Sequence, residues 1–122
     1  MWVFILPESP TASGQLVNTE GTGKSFAARS GPYGKGALPS GRYTLGKPTR
    51  LEDDERNEPY TDPNGNAWWV PLKPQFQTER KGFGFHPDGN GPGSRGCVVI
   101  ARNDTLSAYE LMKEGDELLV VA

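Results

Sequence analysis

The chain has only one cysteine and one histidine among its 122 residues. A single cysteine cannot form a disulfide within the chain, so cysteine usage does not indicate a redox compartment. A zinc site normally uses three or four nitrogen and sulfur ligands, which one histidine and one cysteine cannot supply. We therefore expect a domain that folds without a disulfide, a metal ion or another cofactor.

The sequence also lacks an excess of positive charge. It has 13 Lys and Arg against 15 Asp and Glu, which gives a formal net charge of −2, and its basic residues do not alternate with aromatic ones. Proteins that bind nucleic acid place basic groups along the phosphate backbone. Nucleic acid is therefore not an expected partner.

Long apolar segments are missing as well. The apolar start, residues 1–6, is too short for the hydrophobic region of a signal peptide, and Pro7 ends it. With 16 glycines, 11 prolines and 34% hydrophobic residues, the composition favours many short strands over long helices. A chain of this length buries enough surface to fold alone, so we expect one domain, residues 1–122, and a monomer.

Period-two alternation and β-branched residues predict strands that turn residues separate. The predicted strands are residues 1–6, 15–18, 24–30, 41–46, 67–72 and 116–121, with two more around His86 and Cys97. One helix is predicted late in the chain, from a cap at Asn103 or Asp104 to Met112, with its apolar side on the core. The charged run at residues 52–58 is predicted to be a surface insertion or a lid over a cleft.

The single histidine and the single cysteine border two apolar runs. The link between them is rich in Pro, Asp, Gly, Asn and Ser, which indicates strand, loop and strand. If the strands lie side by side, the imidazole of His86 comes next to the thiol of Cys97, and such a pair can make a thiolate nucleophile at neutral pH. The alternative is that Cys97 is a buried core residue and His86 an ordinary hydrogen-bonded side chain.

Two motifs resemble the L,D-transpeptidase (YkuD-like) superfamily. The sequence Ser94-Arg95-Gly96-Cys97, with His86 upstream, is similar to the family's Ser/Thr-His-Gly-Cys signature, and Arg95 stands where most members have a second histidine. The segment from Ser30-Gly31 to Leu38-Pro39-Ser40-Gly41-Arg42-Tyr43 is similar to a second family pattern. The short signature looks like the compact branch that includes type VI secretion effectors acting on peptidoglycan.

The resemblance implies a mainly β fold, an L,D-transpeptidase-like β-sandwich with one late α-helix. It also implies a cysteine enzyme that cleaves peptidoglycan stem peptides between meso-diaminopimelate and D-alanine. In this hypothesis His86 takes the proton of Cys97 and the thiolate attacks the carbonyl. Water then gives L,D-carboxypeptidase activity, which trims tetrapeptides to tripeptides, whereas a D-amino acid or a second stem gives exchange or cross-linking. We expect hydrolysis to dominate.

Residues next to the cysteine are candidates for positioning the substrate. Gly96 lets the backbone approach the substrate, and the amides around it are a candidate oxyanion hole. Arg95 is expected to lower the pKa of the thiol or to bind a substrate carboxylate. Ser94 is expected to hydrogen-bond the thiol or the imidazole, or to serve as a turn residue.

Three aromatic residues are candidates for a cleft: Tyr43, Trp68 and Trp69. Adjacent side chains on a strand point to opposite faces, so one tryptophan is expected in the core and the other beside the cleft. Packing of both tryptophans in two buried layers is the alternative.

An enzyme that acts in the periplasm or cell wall without a signal peptide needs another route, such as a secretion apparatus, phage lysis or fusion to a carrier. An immunity protein and a secretion carrier are therefore further candidate partners. The competing hypothesis is a wall-binding or inhibitory module that keeps the fold without turnover. Fast alkylation of Cys97 that depends on His86 would favour the enzyme.

Overall fold

The computed structural model describes residues 1–7, 13–20, 23–30, 38–52, 55–87, 97–100 and 105–121. Within these ranges the chain forms nine strands, one α-helix and one 3₁₀ helix. The strands are β1 (Trp2–Ile5), β2 (Gly14–Asn18), β3 (Ser25–Arg29), β4 (Gly41–Leu45), β5 (Thr49–Arg50), β6 (Trp68–Pro74), β7 (Gly84–Pro87), β8 (Val98–Ile100) and β9 (Glu117–Val121). The 3₁₀ helix is Glu55–Tyr60, and α1 is Thr105–Leu111.

The strands form one sheet that closes on itself. Their order is β4-β9-β1-β2-β3-β8-β7-β6-β5, and β4 also pairs with β6. Most neighbours are antiparallel, but β1 pairs parallel with β9 and β7 pairs parallel with β8. Closure gives the strands an inner side that faces the core and an outer side on which other segments pack.

The inner side carries the hydrophobic core. Trp2 and Phe4 of β1 have no exposed surface, whereas Ile5 is 43% exposed, as the alternation of a strand requires. Trp68 of β6 is also fully buried, and its ring centroid lies 5.1 Å from that of Tyr109 in α1. The helix therefore has its apolar side on the core, as its sequence predicts. None of the helices formed by the described residues has the length and apolar character needed to span a bilayer.

The predicted mainly β fold with one late α-helix is confirmed. The six strands predicted outside the His86 and Cys97 region occur as β1, β2, β3, β4, β6 and β9. The strand β5 and the 3₁₀ helix were not predicted, because such short elements carry no periodic apolar signal. The predicted helix caps, Asn103 and Asp104, lie outside the described residues.

Candidate active site

The histidine and the cysteine are brought together by β7 and β8. These strands are parallel neighbours in which His86 pairs with Val99, and two steps earlier in the same register Cys97 lies level with Gly84. Paired residues of neighbouring strands point to the same face, so Cys97 and His86 share a face and are offset by two residues, about 7 Å along the strands. The strands next to His86 and Cys97, which the sequence left as a possible pair, do lie side by side. The link between them, residues 88–96, lies outside the described residues.

The imidazole of His86 is held in one tautomer. The side chain is only 6% exposed, and Nδ1 lies 2.7 Å from the carbonyl oxygen of Pro87. Because a carbonyl oxygen can only accept a hydrogen bond, Nδ1 carries the hydrogen and donates it. In the neutral ring this leaves the lone pair on Nε2, which is the atom that can accept a proton.

Two aromatic rings enclose this imidazole. Trp69 of β6 stacks on it, with ring centroids 5.9 Å apart and an interplanar angle of 24°. Tyr60, at the end of the 3₁₀ helix, meets it edge to face at 4.8 Å. Burial lowers the pKa of His86 to about 4, and the hydrogen bond to the Pro87 carbonyl opposes this shift only in part. The imidazole is therefore neutral at pH 7.

Gly84 makes room for the stacked tryptophan. A Cβ atom at this position would lie 2.5 Å from Cη2 of Trp69, a distance at which the ring or the backbone must move. The absence of a side chain lets the indole lie across β7 and cover His86. The register also puts the backbone of Gly84 beside Cys97.

The thiol of Cys97 is half-buried, and Sγ donates a hydrogen bond to the carbonyl oxygen of Gly82 at 3.5 Å. Burial raises the pKa of the Cys97 thiol, while a hydrogen bond from the Gly84 backbone and the positive charge of Arg80 lower it. With a raised thiol pKa and a lowered imidazole pKa, both groups are neutral at pH 7. The resting form of the pair at pH 7 is therefore a neutral thiol and a neutral imidazole, and not a thiolate–imidazolium ion pair.

Arg80 lies in the segment that leads into β7. Its guanidinium carbon lies 5.3 Å from the ring centroid of Phe83, in the range of a cation–π contact. Its charge lowers the pKa of Cys97 and also that of the Tyr43 hydroxyl, which burial raises. The sequence did not indicate this effect of Arg80 on the candidate site.

The structure corrects two of the predicted cleft residues. Trp68 has no exposed surface and packs in the core against α1, so it does not face a cleft. Tyr43 has no exposed surface either, and its hydroxyl donates a hydrogen bond to the Pro39 carbonyl oxygen at 2.6 Å. Of the three aromatic candidates, only Trp69 lies beside the histidine. Its contact with substrate stays a prediction.

The second sequence motif is structural in the part that the structure describes. The backbone N–H of Leu38 donates to Oγ of the buried Ser30 at 2.8 Å, which ties together the two ends of the segment at residues 31–37. Gly41 has a φ of 142°, and a Cβ atom there would lie 2.8 Å from the ring of Phe76. These residues hold β4 in place.

Ser94, Arg95 and Gly96 lie outside the described residues, so their predicted roles stay predictions. Among the residues that the structure does describe, no group of three or more His, Cys, Asp and Glu is placed to hold a metal ion.

Tyr60 and Arg80 are the site residues that sequence reasoning missed. Tyr60 ends a charged segment, and Arg80 lies in the run Thr78-Glu79-Arg80-Lys81. Charged runs usually belong to solvated surface, so neither position carried a signal of its own. Their importance comes only from the fold, which brings both against the strands that hold His86 and Cys97.

Residues 9–121 match the model of the YkuD family, the L,D-transpeptidase catalytic domain. The match covers nearly the whole chain, so the chain belongs to this family. The comparison with curated protein sequences finds no match.

Solved L,D-transpeptidases have the same fold. L,D-transpeptidase 1 from Mycobacterium tuberculosis is 14% identical with a TM-score of 0.56, and the alignment covers 99% of this chain and 62% of that one. L,D-transpeptidase 3 from the same organism, in complex with a faropenem-derived adduct, is 18% identical with a TM-score of 0.55. The alignment covers 99% of this chain and 60% of that one. The enzyme from Stackebrandtia nassauensis is 19% identical with a TM-score of 0.56, and the alignment covers 99% of this chain and 55% of that one. The chain thus spans between 55% and 62% of the length of these structures.

Proposed function

We propose that this domain is a cysteine acyltransferase that acts on peptidoglycan stem peptides, with Cys97 as the nucleophile and His86 as the general base. The observation that carries the proposal is the pairing of β7 with β8, which puts His86 and Cys97 on one face of neighbouring strands. The hydrogen bond from Nδ1 to the Pro87 carbonyl adds the correct tautomer. Membership of the L,D-transpeptidase family supports the substrate class.

In the acylation step Nε2 of His86 takes the proton of the Cys97 thiol, directly or through one water molecule. Sγ forms a bond to the carbonyl carbon of the diaminopimelate residue. The bond from that carbon to the nitrogen of D-alanine then breaks, and the imidazolium gives its proton to the leaving amine. A thioester remains on Cys97, and His86 is neutral again.

In the second step the same imidazole removes a proton from the acceptor. Water as the acceptor releases a tripeptide stem, whereas the amine of a D-amino acid gives an exchanged tetrapeptide. The sulfur leaves and takes the proton back from His86. We propose that hydrolysis outweighs cross-linking, because a second stem must be held in place to compete with water and the sequence shows no second long apolar segment to hold it.

The site of action follows from the substrate: the periplasm or the cell wall. We propose that the domain belongs to the compact effector branch of the family and that it is delivered by a secretion apparatus, by phage lysis or by a carrier domain. We also propose that an immunity protein neutralises the enzyme. We propose further that such an effector is toxic to cells whose wall it reaches, which is tested by expressing it with and without export to the periplasm. Loss of viability only on export supports it, and equal growth contradicts it.

The activity is tested with purified disaccharide-tetrapeptide, with and without excess D-methionine, and with separation of the products by mass. We expect the disaccharide-tripeptide as the main product and a D-methionine-exchanged tetrapeptide as the minor one. The Cys97→Ala variant should make neither product while keeping the thermal unfolding midpoint of the unaltered protein within a few degrees. His86→Ala should lower the rate by about 10²- to 10⁴-fold, as the loss of a general base does.

Faropenem supplies a second readout, because a solved L,D-transpeptidase is in complex with an adduct derived from it. We expect the mass of the intact protein to rise on incubation with faropenem, and the mass of the Cys97→Ala variant to stay unchanged. Dimeric muropeptides as the main product would overturn the preference for hydrolysis. Neither turnover nor an adduct in a folded protein would favour the wall-binding module.

A further inference from the structure

A cationic side chain lies in the same row of the sheet as His86. In β8, Val99 pairs with His86 of β7 on one side and with Arg29 of β3 on the other. Paired residues of neighbouring strands point to the same face, so these three side chains form one row across three strands. Neighbouring strands lie about 5 Å apart, which puts the backbone of Arg29 about 10 Å from that of His86.

The guanidinium of Arg29 is anchored on this outer face of the sheet. Its Nε donates a hydrogen bond to Oγ of Ser13, the residue before β2, at 3.1 Å. The side chain is half-buried, and within the described part of the chain it forms no ion pair with a carboxylate. The two terminal nitrogens of the guanidinium therefore keep the pair of N–H donors that matches the two oxygens of a carboxylate.

This arginine is the one charged group on the outer face of the three strands, as far as the structure describes them. The other outward residues of these strands are Ser25, Ala27, Gly84, His86 and Val99. None of them is acidic, and the imidazole is neutral at pH 7 because burial lowers the pKa of His86 to about 4. A single positive charge beside neutral groups attracts an anionic part of a ligand to this end of the row.

The stem peptide has carboxylates at a matching distance. Six single bonds separate the reacting carbonyl carbon of diaminopimelate from its second carboxyl carbon, as many as in two residues of backbone, so this group spans about 7 Å when extended. Arg29 lies one strand across and two residues along from Cys97, which is about 8 Å between their backbones. The α-carboxylate of the preceding glutamate, seven bonds away, has a similar reach, whereas the carboxylate of the leaving D-alanine is only three bonds away, about 3.5 Å.

We propose that Arg29 binds a carboxylate of the stem peptide, either the second carboxylate of diaminopimelate or the α-carboxylate of glutamate, and so determines which stems the site accepts. The identity of the ligand rests on the proposed function. A stem whose carboxylate is converted to an amide loses the negative charge and one of the two acceptor oxygens. The domain should therefore prefer the free acid over the amidated stem.

The test combines a change in the protein with a change in the substrate. Arg29→Gln removes the charge, and Arg29→Lys keeps the charge without the planar fork. Lys24→Gln is the matched control, because it removes a positive charge from the exposed residue just before β3. Initial rates are measured with three disaccharide-tetrapeptides: the free acid, a stem amidated on the second carboxyl group of diaminopimelate, and a stem amidated on the α-carboxyl group of glutamate.

We expect Arg29→Gln to raise KM for the free acid by about three- to tenfold, the effect of losing a charge-assisted hydrogen-bonded pair. Its kcat should change little, because binding away from the reacting groups acts on ground state and transition state alike. Arg29→Lys should raise KM less, and Lys24→Gln should match the unaltered protein. One of the two amidated stems should lose the same factor in kcat/KM with the unaltered protein and show no further loss with Arg29→Gln, which identifies the carboxylate.

An equal loss with all three stems in Arg29→Gln overturns the inference, because a merely structural role would act on every substrate. A folded Arg29→Gln with an unchanged KM for the free acid overturns it as well. Circular dichroism establishes the folded state. If Arg29→Gln is unfolded, Arg29→Lys takes its place with the same three stems, because lysine cannot form the bidentate pair.

Binding to the Cys97→Ala variant separates this inference from the proposed function, since that variant should bind the stem without turnover. The free-acid stem is titrated into Cys97→Ala and into the double variant that also carries Arg29→Gln, and NMR chemical shifts report binding. Weaker binding by the double variant, with no turnover by the unaltered protein, supports the role of Arg29 and counts against the proposed function. Turnover that does not depend on Arg29 does the reverse, and the absence of both turnover and binding overturns both.

Discussion

At the scale of residues, the candidate site has one imidazole, that of His86. Its protonation state is set by its surroundings: the Pro87 carbonyl oxygen holds the hydrogen on Nδ1, and burial lowers the pKa of His86 to about 4. The rings of Trp69 and Tyr60 provide that burial. In the proposed function, a neutral imidazole on the same face as a neutral thiol is the form that can take up a proton during attack.

Gly84→Ala should disturb this arrangement through Trp69. The new Cβ atom would lie 2.5 Å from the indole, so the ring must move away from His86 and let water reach the imidazole. We expect the pKa of His86 to rise from about 4 towards the usual value of about 6.5. Since the chain has one histidine, an NMR titration of its ring protons reports this pKa without ambiguity.

The control for this variant is Gly115→Ala, at a glycine with a φ of 88° where a new Cβ atom would meet no other atom within 4 Å. It should cost stability through backbone strain, about 1 kcal/mol, and leave the titration of His86 unchanged. An unchanged pKa of His86 in Gly84→Ala would show that Trp69 does not shield the imidazole from water.

At the scale of elements, a buried carboxylate connects the segment that carries Tyr60 with the helix. Asp62 is 4% exposed and accepts hydrogen bonds from the backbone N–H groups of Asn64 and Asn66, both at 2.9 Å. Its second oxygen accepts the hydroxyl hydrogen of Thr105, the first residue of α1. The turn at residues 62–66 is therefore held to the helix that follows β8.

Asp62→Ala should destabilise the fold by about 3 kcal/mol, because it leaves a buried hydroxyl and two backbone N–H groups without their acceptor. Thr105→Val removes only the link to the helix and should cost about 1 to 2 kcal/mol. The two changes should be less than additive, since they share one hydrogen bond. Urea unfolding of the two single variants and the double variant measures this coupling.

The half-buried Asn57 gives the comparison, since its side chain donates an exposed hydrogen bond to the Glu52 carbonyl oxygen at 2.8 Å. Asn57→Ala should change the free energy of unfolding by less than about 0.5 kcal/mol. A cost for Asp62→Ala as small as that of Asn57→Ala would mean that the carboxylate does not hold the turn and the helix together.

How far the sequence predicted these elements depends on the kind of signal. Alternation in β1, β6 and β9 and the apolar stripe of α1 indicated their positions, because burial of one face needs that pattern. The parallel pairing of β7 with β8 was not predicted, since register arises from the closed sheet and not from either strand alone. Tyr60 and Arg80 were missed because a charged neighbourhood shows no periodicity, and Tyr43 was misplaced because its polar tip finds an acceptor inside the core.

On the scale of the whole molecule, the closed sheet explains why the site lies where it does. The inner side of β6, β7 and β8 is filled by Trp68, Phe85 and Val98, all fully buried. Alternate residues of the same strands, among them Trp69 and His86, must then point outward, where the 3₁₀ helix covers them. The candidate site thus lies directly on a packed core, which holds the backbones of β7 and β8 in register.

The burial that prepares His86 also makes folding stability depend on pH. The folded-state pKa of about 4 lies below the unfolded value of about 6.5, so between these values the unfolded chain binds more protons than the folded one. Stability is therefore full above about pH 6.5 and falls as the pH drops towards 4. We expect His86 to account for a loss of about 2 kcal/mol in the free energy of unfolding between pH 7 and pH 5. Urea unfolding at both pH values gives this difference.

The variant His86→Gln separates this effect from the titration of carboxylates, because glutamine carries no charge at either pH. Its free energy of unfolding should fall by about 2 kcal/mol less than that of the unaltered protein over the same interval. Cys97 makes stability depend on pH in the alkaline range. Because burial raises its pKa in the folded state, the free energy of unfolding is unaffected below the pKa of the unfolded thiol and decreases as the pH rises above it. Cys97→Ala should remove that alkaline loss and leave the acid loss in place. An acid loss of equal size in the unaltered protein and in His86→Gln would show that the imidazole is not buried as the structure describes.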